Sequence, residues 1–249
     1  MSAWEYSCEK ACKQLVLLAR LLAEVEVLLA PPDDGMMHHC VNRCAPCSKG
    51  RSIKRCTGWQ TVVDRGILAF RPYTVAGHDP VRIDLSAQVS FRRAQPEKSD
   101  KWQARPVGSA NVTVEIIDTA TETLLERHHH DLANAGQVGP VWHFQYGGNP
   151  AGGIGELPTS WLEPPRWPQL PADLTLLADA IVYNFFVDEW RALNAKGAWV
   201  KLILEAEQLV MSHYAEYVHE HFARPWTERD HTWLSAQDNE LGGLQPRPA

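Results

Sequence analysis

Six soft donors fall within 19 residues of this chain: His38, His39, Cys40, Cys44, Cys47 and Cys56, the cysteines spaced C-x3-C-x2-C-x8-C. Thiolate and imidazole select zinc or an iron–sulfur cluster over hard cations, and four such ligands this close suit a tetrahedral site. The expected ligands are Cys40, Cys44, Cys47 and Cys56, with His38 or His39 able to replace one thiolate. Cys8 and Cys12 read differently, because they fall on an apolar helical stripe and behave there as small buried groups. The other four stand in polar, basic sequence with no hydrophobic period, so packing does not account for them. Disulfides are the competing reading. The first residues lack the basic start and apolar run of a signal peptide, which predicts a cytoplasmic chain. In that compartment clustered cysteines more often hold metal than staple loops.

The same segment is basic. Residues 35–63 contain Arg43, Lys49, Arg51, Lys54 and Arg55 and no carboxylate, within a chain of net charge −6. A zinc ion would order a loop too polar to fold alone, and that loop would offer five cations to phosphates or to an acidic protein surface. The leading expectation is therefore a zinc-stabilised, non-catalytic binding protein. Its partner would be nucleic acid or an acidic protein, with the long first helix as a further docking face. The overall negative charge argues against nucleic-acid binding over the whole surface.

Cys40-x3-Cys44-x2-Cys47 resembles the cysteine triad of the radical S-adenosylmethionine enzymes, and the resemblance implies a [4Fe–4S] cluster in place of zinc. It covers eight residues. Pro46 stands where that family has an aromatic, and a helix rather than a buried strand precedes Cys40. A fourth cysteine, Cys56, fits closed four-ligand zinc better.

A second group of donors lies further on. His128, His129, His130 and Asp131 end one expected strand, and His143 lies on the next. The candidate catalytic set is His128, His130, Asp131 and His143, which could hold an open-site metal that activates water in a hydrolase or nuclease. Strand alternation puts His128 and His130 on one side and His129 on the other. Three histidines at a strand end are more often plain hydrogen-bonding residues. In the last helix His213, Glu216 and Glu220 share neighbouring turns and read as a solvated face.

The elements that must position these groups follow from periodicity. Apolar residues recur at helical spacing over residues 4–30, from Cys8 through Leu15, Leu18 and Leu22 to Leu29, until Pro31 and Pro32 stop the pattern. Then the period becomes two. Val81, Ile83, Leu85, Ala87, Val89 and Phe91 alternate with Arg82, Asp84, Ser86, Gln88 and Ser90, which predicts an antiparallel sheet with one buried and one wet face. Asp64-Arg65-Gly66 reads as a turn, residues 92–109 as a polar loop, and residues 141–146 as the last strand. Two helices follow, one from Asp173 and one from about Trp199 to Phe222.

The expected class is α+β, read as one domain. Its order is an N-terminal helix (1–35), a Cys-rich metal-binding insert (36–58), an antiparallel meander (59–150), a Pro/Gly-rich connector (151–172), a helical region (173–236) and a tail (237–249). Trp142-His143 through Asn149-Pro150, followed by Pro164-Pro165-Arg166-Trp167-Pro168 ahead of a helix, resembles the ubiquitin-conjugating and RWD-like folds in outline. No cysteine follows Cys56, so the conjugating thiol has no counterpart. No apolar run reaches the roughly 18 residues that span a bilayer.

Overall fold

The computed structural model describes residues 8–43, 58–74, 79–94, 103–132, 142–147 and 166–223. Two helices come first, α1 (Cys8–Glu24) and α2 (Asp34–His39). Seven strands follow: β1 (Val41–Arg43), β2 (Gly58–Ala69), β3 (Val81–Ala94), β4 (Gln103–Asp118), β5 (Leu124–Leu132), β6 (Trp142–Tyr146) and β7 (Arg166–Pro168). Three helices end the fold, α3 (Leu174–Phe185), α4 (Val187–Asn194) and α5 (Gly197–Ala223). The strands pair in chain order, β1-β2-β3-β4-β5-β6-β7, every ladder antiparallel. The class is α+β, with the helices layered on one face of the sheet.

That face carries the alternating apolar set. Ile83, Leu85, Ala87 and Val89 of β3 lie beside Val112 and Ala110 of β4, and all are buried with Leu18 and Leu22 of α1 and Leu202 and Leu209 of α5. Trp59 and Phe91 face each other across β2 and β3 and stack, with ring centroids 5.0 Å apart. One carboxylate fastens the helical layer. Asp179 Oδ1 of α3 accepts from Trp190 Nε1 of α4 at 2.9 Å and from Trp199 Nε1 of α5 at 3.1 Å.

Several sequence expectations are corrected here. Helix α1 ends at Glu24 and not near residue 30, since Glu26 takes a left-handed φ of 57° and Leu29 N then bonds Ala69 O at 2.8 Å. The tertiary pairing with the end of β2 overrides the helical period. Asp64-Arg65-Gly66 is not a turn between two strands. It lies where the register shifts between Val63 and Leu68 inside one continuous β2, and Gly66 supplies the φ of 84° that the irregularity requires. The two described ends of the expected polar loop at 92–109 are strand, with Arg92↔Arg105 and Ala94↔Gln103 extending β3 and β4, and residues 95–102 lie outside the described residues. The Pro-rich connector contributes an edge strand, β7. Two expected helices are three, because Phe186 leaves helical geometry at φ −137°, ψ 59° between α3 and α4. The unexpected α2 is started by Asp33, whose Oδ1 accepts from Met36 N at 2.7 Å.

Candidate functional site

The described residues on either side of the Cys-rich segment meet at one edge of the sheet. Val41, Asn42 and Arg43 of β1 pair with Thr61, Gln60 and Trp59 of β2, and Val62 N donates to Cys40 O at 2.7 Å. The chain therefore leaves the sheet after Arg43 and returns to the same place at Gly58. The stretch in between carries Cys44, Cys47, Cys56, Lys49, Arg51, Lys54 and Arg55, which all lie outside the described residues. Of the expected ligands three are described. Cys40 is 5% exposed at the end of α2 and belongs to the apolar core with Met37 and Val41. Burial pushes its thiol pKa up, and the nearby charge of Asp64 adds to the rise. His38 and His39 are exposed on α2, with His39 Nδ1 2.6 Å from Gly35 O.

The histidine group is positioned by the β5–β6 ladder, which pairs Asp131 with His143, His130 with Phe144 and His128 with Tyr146. Alternation divides the four candidates into two pairs. His128 and His130 belong to the face that carries the helices, among aromatic rings: His128 lies 5.3 Å from Phe144 and 5.5 Å from Tyr146, and His130 lies 5.4 Å from Phe144. His130 Nδ1 is 3.0 Å from Gln169 Oε1, and Gln169 Nε2 donates to His143 O at 3.1 Å. That second bond aims the amide oxygen at the imidazole, so Nδ1–H donates. Burial lowers the His130 pKa to about 4.

Asp131 and His143 are brought together on the opposite face. His143 Nε2 stands 3.9 Å from Asp131 Oδ2, and the His143 side chain is 1% exposed. His129 joins them on that face, its Nδ1 3.2 Å from Thr113 Oγ1 and 3.4 Å from Asn111 Nδ2. Burial first, and then the charge of Arg127, lower the His129 pKa. Among the described residues no three His, Cys, Asp or Glu side chains are arranged to hold a metal ion.

The sequence reading missed what surrounds this second face. It is not a wet face at its centre: Asp84, Glu115 and Arg127 are 3%, 5% and 6% exposed. Arg127 Nε donates to Glu115 Oε1 at 2.7 Å, and its Nη2 reaches the same oxygen. Arg65 Nε stands 2.7 Å from Glu115 Oε2 and 3.6 Å from Asp84 Oδ2, while Arg82 Nε lies 3.1 Å from Asp84 Oδ1. The irregularity in β2 places Arg65 here. Burial raises the pKa of Asp84 although Arg82 and Arg65 oppose it. Alternating Arg and Asp in β3 was the available signal for the side these groups take, but not for their burial.

No protein-family model, no curated protein and no solved structure matches this chain. The radical-enzyme and ubiquitin-conjugating resemblances gain nothing from those comparisons. No helix among the described residues is long and apolar enough to cross a membrane.

Proposed function

We propose that this chain is a cytoplasmic, zinc-stabilised, non-catalytic binding protein that presents a basic loop to nucleic acid or to an acidic protein partner. The observation that supports this reading best is the β1–β2 ladder, which returns the chain at Gly58 to the edge it left at Arg43. Between those points lie three of the four candidate cysteines and four of the five candidate cations. A short loop with its ends already joined loses less entropy on closing around one ion. A buried Cys40 thiol disfavours its own anion, and a divalent metal supplies the charge that thiolate ligation needs.

Metal analysis of the purified protein tests the reading, with close to one zinc per chain expected. Cys44→Ser should lower zinc content and melting temperature together, because binding energy at such a site is folding energy. Cys40→Ser separates the two roles of that residue: loss of zinc marks a ligand, while lower stability at full zinc marks a core thiol. Neutralising Lys49, Arg51, Lys54 and Arg55 together should weaken nucleic-acid binding and flatten its salt dependence by roughly 0.7–0.9 per lost phosphate contact. Metal-free protein with unchanged stability refutes the zinc site, and the visible absorption of an iron–sulfur cluster transfers it to the radical reading.

A metal-dependent hydrolase is the second reading, favoured by the facing pair Asp131 and His143. His128 and His130 would have to act from the other side of the strand. Loss of a measured hydrolysis in His143→Ala, with the fold retained, would establish it.

A further inference from the structure

Toward β7 the helix-bearing face of the sheet ends in aromatic rings that reach water. Register sets His128 opposite Tyr146, His130 opposite Phe144, and Phe144 opposite Trp167, so five rings from three adjacent strands share that face. His128, His130 and Phe144 are half-buried and lie against one another. The outer two rings are open: Tyr146 is 45% exposed and Trp167 59%. Among the described residues neither the Tyr146 hydroxyl nor the Trp167 indole N–H has a hydrogen-bond partner. Large rings with an unused polar end mark an interface.

Charge and spacing narrow the partner. Alternation gives this face of β5, β6 and β7 one carboxylate, Glu126, and no lysine or arginine; Arg127 and Arg166 fall on the other side. Glu126 Oε2 stands 3.0 Å from His128 Nε2, and Oε1 has no partner among the described residues. Burial keeps His130 uncharged at neutral pH, with a pKa of about 4. Nucleic acid needs cations for its phosphates, and the basic segment joins β1 to β2 at the opposite margin of the sheet. A neutral aromatic surface beside a carboxylate suits a neutral or basic peptide instead. Tyr146 lies two residues beyond Phe144, hence diagonal to Trp167, and such neighbours stand about 7–8 Å apart. A polyproline II helix presents the same side every third residue, about 9 Å along its axis, a difference that long aromatic side chains span. It makes no internal hydrogen bonds, so its carbonyls are open acceptors.

We propose that this surface docks a proline-rich segment of a partner protein in polyproline II conformation, with prolines one turn apart stacked on Tyr146 and Trp167 and a basic residue paired with Glu126. The indole N–H and the phenol O–H donate to carbonyls of the segment. The segment is extended before it binds, so little conformational freedom is lost on docking. The surface is separate from the basic loop and acts without zinc.

Fluorescence anisotropy of a labelled peptide, Pro-Pro-Leu-Pro-Pro-Arg, titrated with the full chain tests this. The peptide should bind about tenfold more tightly than an analogue with alanine in place of every proline. Trp167→Ala and Tyr146→Ala should each weaken binding about tenfold, the loss of one stacked ring and its hydrogen bond. Both side chains are exposed, so an unchanged melting temperature is expected, and either variant serves alone should the other misfold. Tyr146→Phe keeps the ring and should cost less than Tyr146→Ala. Glu126→Gln should remove the preference for this peptide over one ending in glutamate. Proline and alanine peptides that behave alike overturn the proposal, as does binding unchanged in both ring variants or a charge preference that survives Glu126→Gln. Displacement of the peptide by oligouridylate also overturns it and assigns the surface to nucleobase stacking.

Discussion

At their centres the two faces of β3 and β4 are buried to nearly the same degree by opposite chemistry. Ile83 is 0% exposed and its neighbour Asp84 3%; Val112 is 0% exposed and Glu115 5%. On one face helices remove apolar side chains from water. On the other, Arg65, Arg82 and Arg127 accompany the carboxylates, and their guanidinium groups replace the hydration that Asp84 and Glu115 lose. The apolar face tolerates partial loss, since each buried methylene contributes separately. The charged face holds together as a set, because removing one partner strands another charge in a low-dielectric setting.

The most direct way to break this comparison is Arg127→Ala. It should destabilise the fold by about 3 kcal/mol in urea unfolding, the lower end for a broken buried pair, since Arg65 remains on Glu115. A cost below about 1 kcal/mol would mean that Arg127 behaves as a surface ion pair and that the two faces do not differ. Combining Arg127→Met with Glu115→Leu should recover most of the loss.

Next comes the polar fastener within the helical layer. Asp179→Ala leaves two indole N–H groups without their acceptor and should cost about 2 kcal/mol, whereas Asp179→Asn, which keeps an oxygen, should cost roughly half. Equal losses in the two variants would show that the carboxylate oxygen is not what joins α3, α4 and α5. A smaller change is expected from the apolar face, where Ile83→Val should lower stability by about 1 kcal/mol. A loss there as large as that of Arg127→Ala would erase the contrast.

The last effect vanishes at neutral pH. His130 belongs to the helix-bearing face, and its pKa falls from 6.5 to about 4. The unfolded chain takes up a proton near pH 6.5 that the folded imidazole refuses until about pH 4, so stability from this group falls as pH drops through that window. His129 acts in the same direction, and Asp173, raised from 3.8 to about 6, acts in the opposite one. The difference between wild type and His130→Gln isolates one group. That variant should lose stability less steeply below pH 6.5, and identical pH profiles would refute a buried neutral imidazole.

Periodicity revealed what burial on one side requires. The apolar stripe of α1 and the alternation of Val81 to Phe91 were legible because both elements put one face against the core. The continuity of β2 through Gly66 was not, since a Gly-containing irregularity and a turn use the same residues. Alternation also assigned Asp84 and Glu115 to their side without revealing that Arg65 of β2 would reach both and Arg127 of β5 would close over Glu115. That closure depends on register, which no local pattern carries. Strand pairing brought Asp131 to His143 and kept His128 and His130 apart from them, a division that follows from two-residue alternation once β5 and β6 are known to pair. The Cys-rich loop was found by composition alone, and Cys44, Cys47 and Cys56 lie outside the described residues.

Among the described residues both margins of the sheet are guarded. The outermost strands, Val41–Arg43 and Arg166–Pro168, have three residues each, and one of the three in β7 is a proline with no amide hydrogen to give. Short borders, one of them carrying a proline, offer little template for the strand of another molecule. The long ladders of β3 and β4, which would be a hazard for fibrous self-association if laid bare, instead occupy the middle of the sheet with a partner on either side.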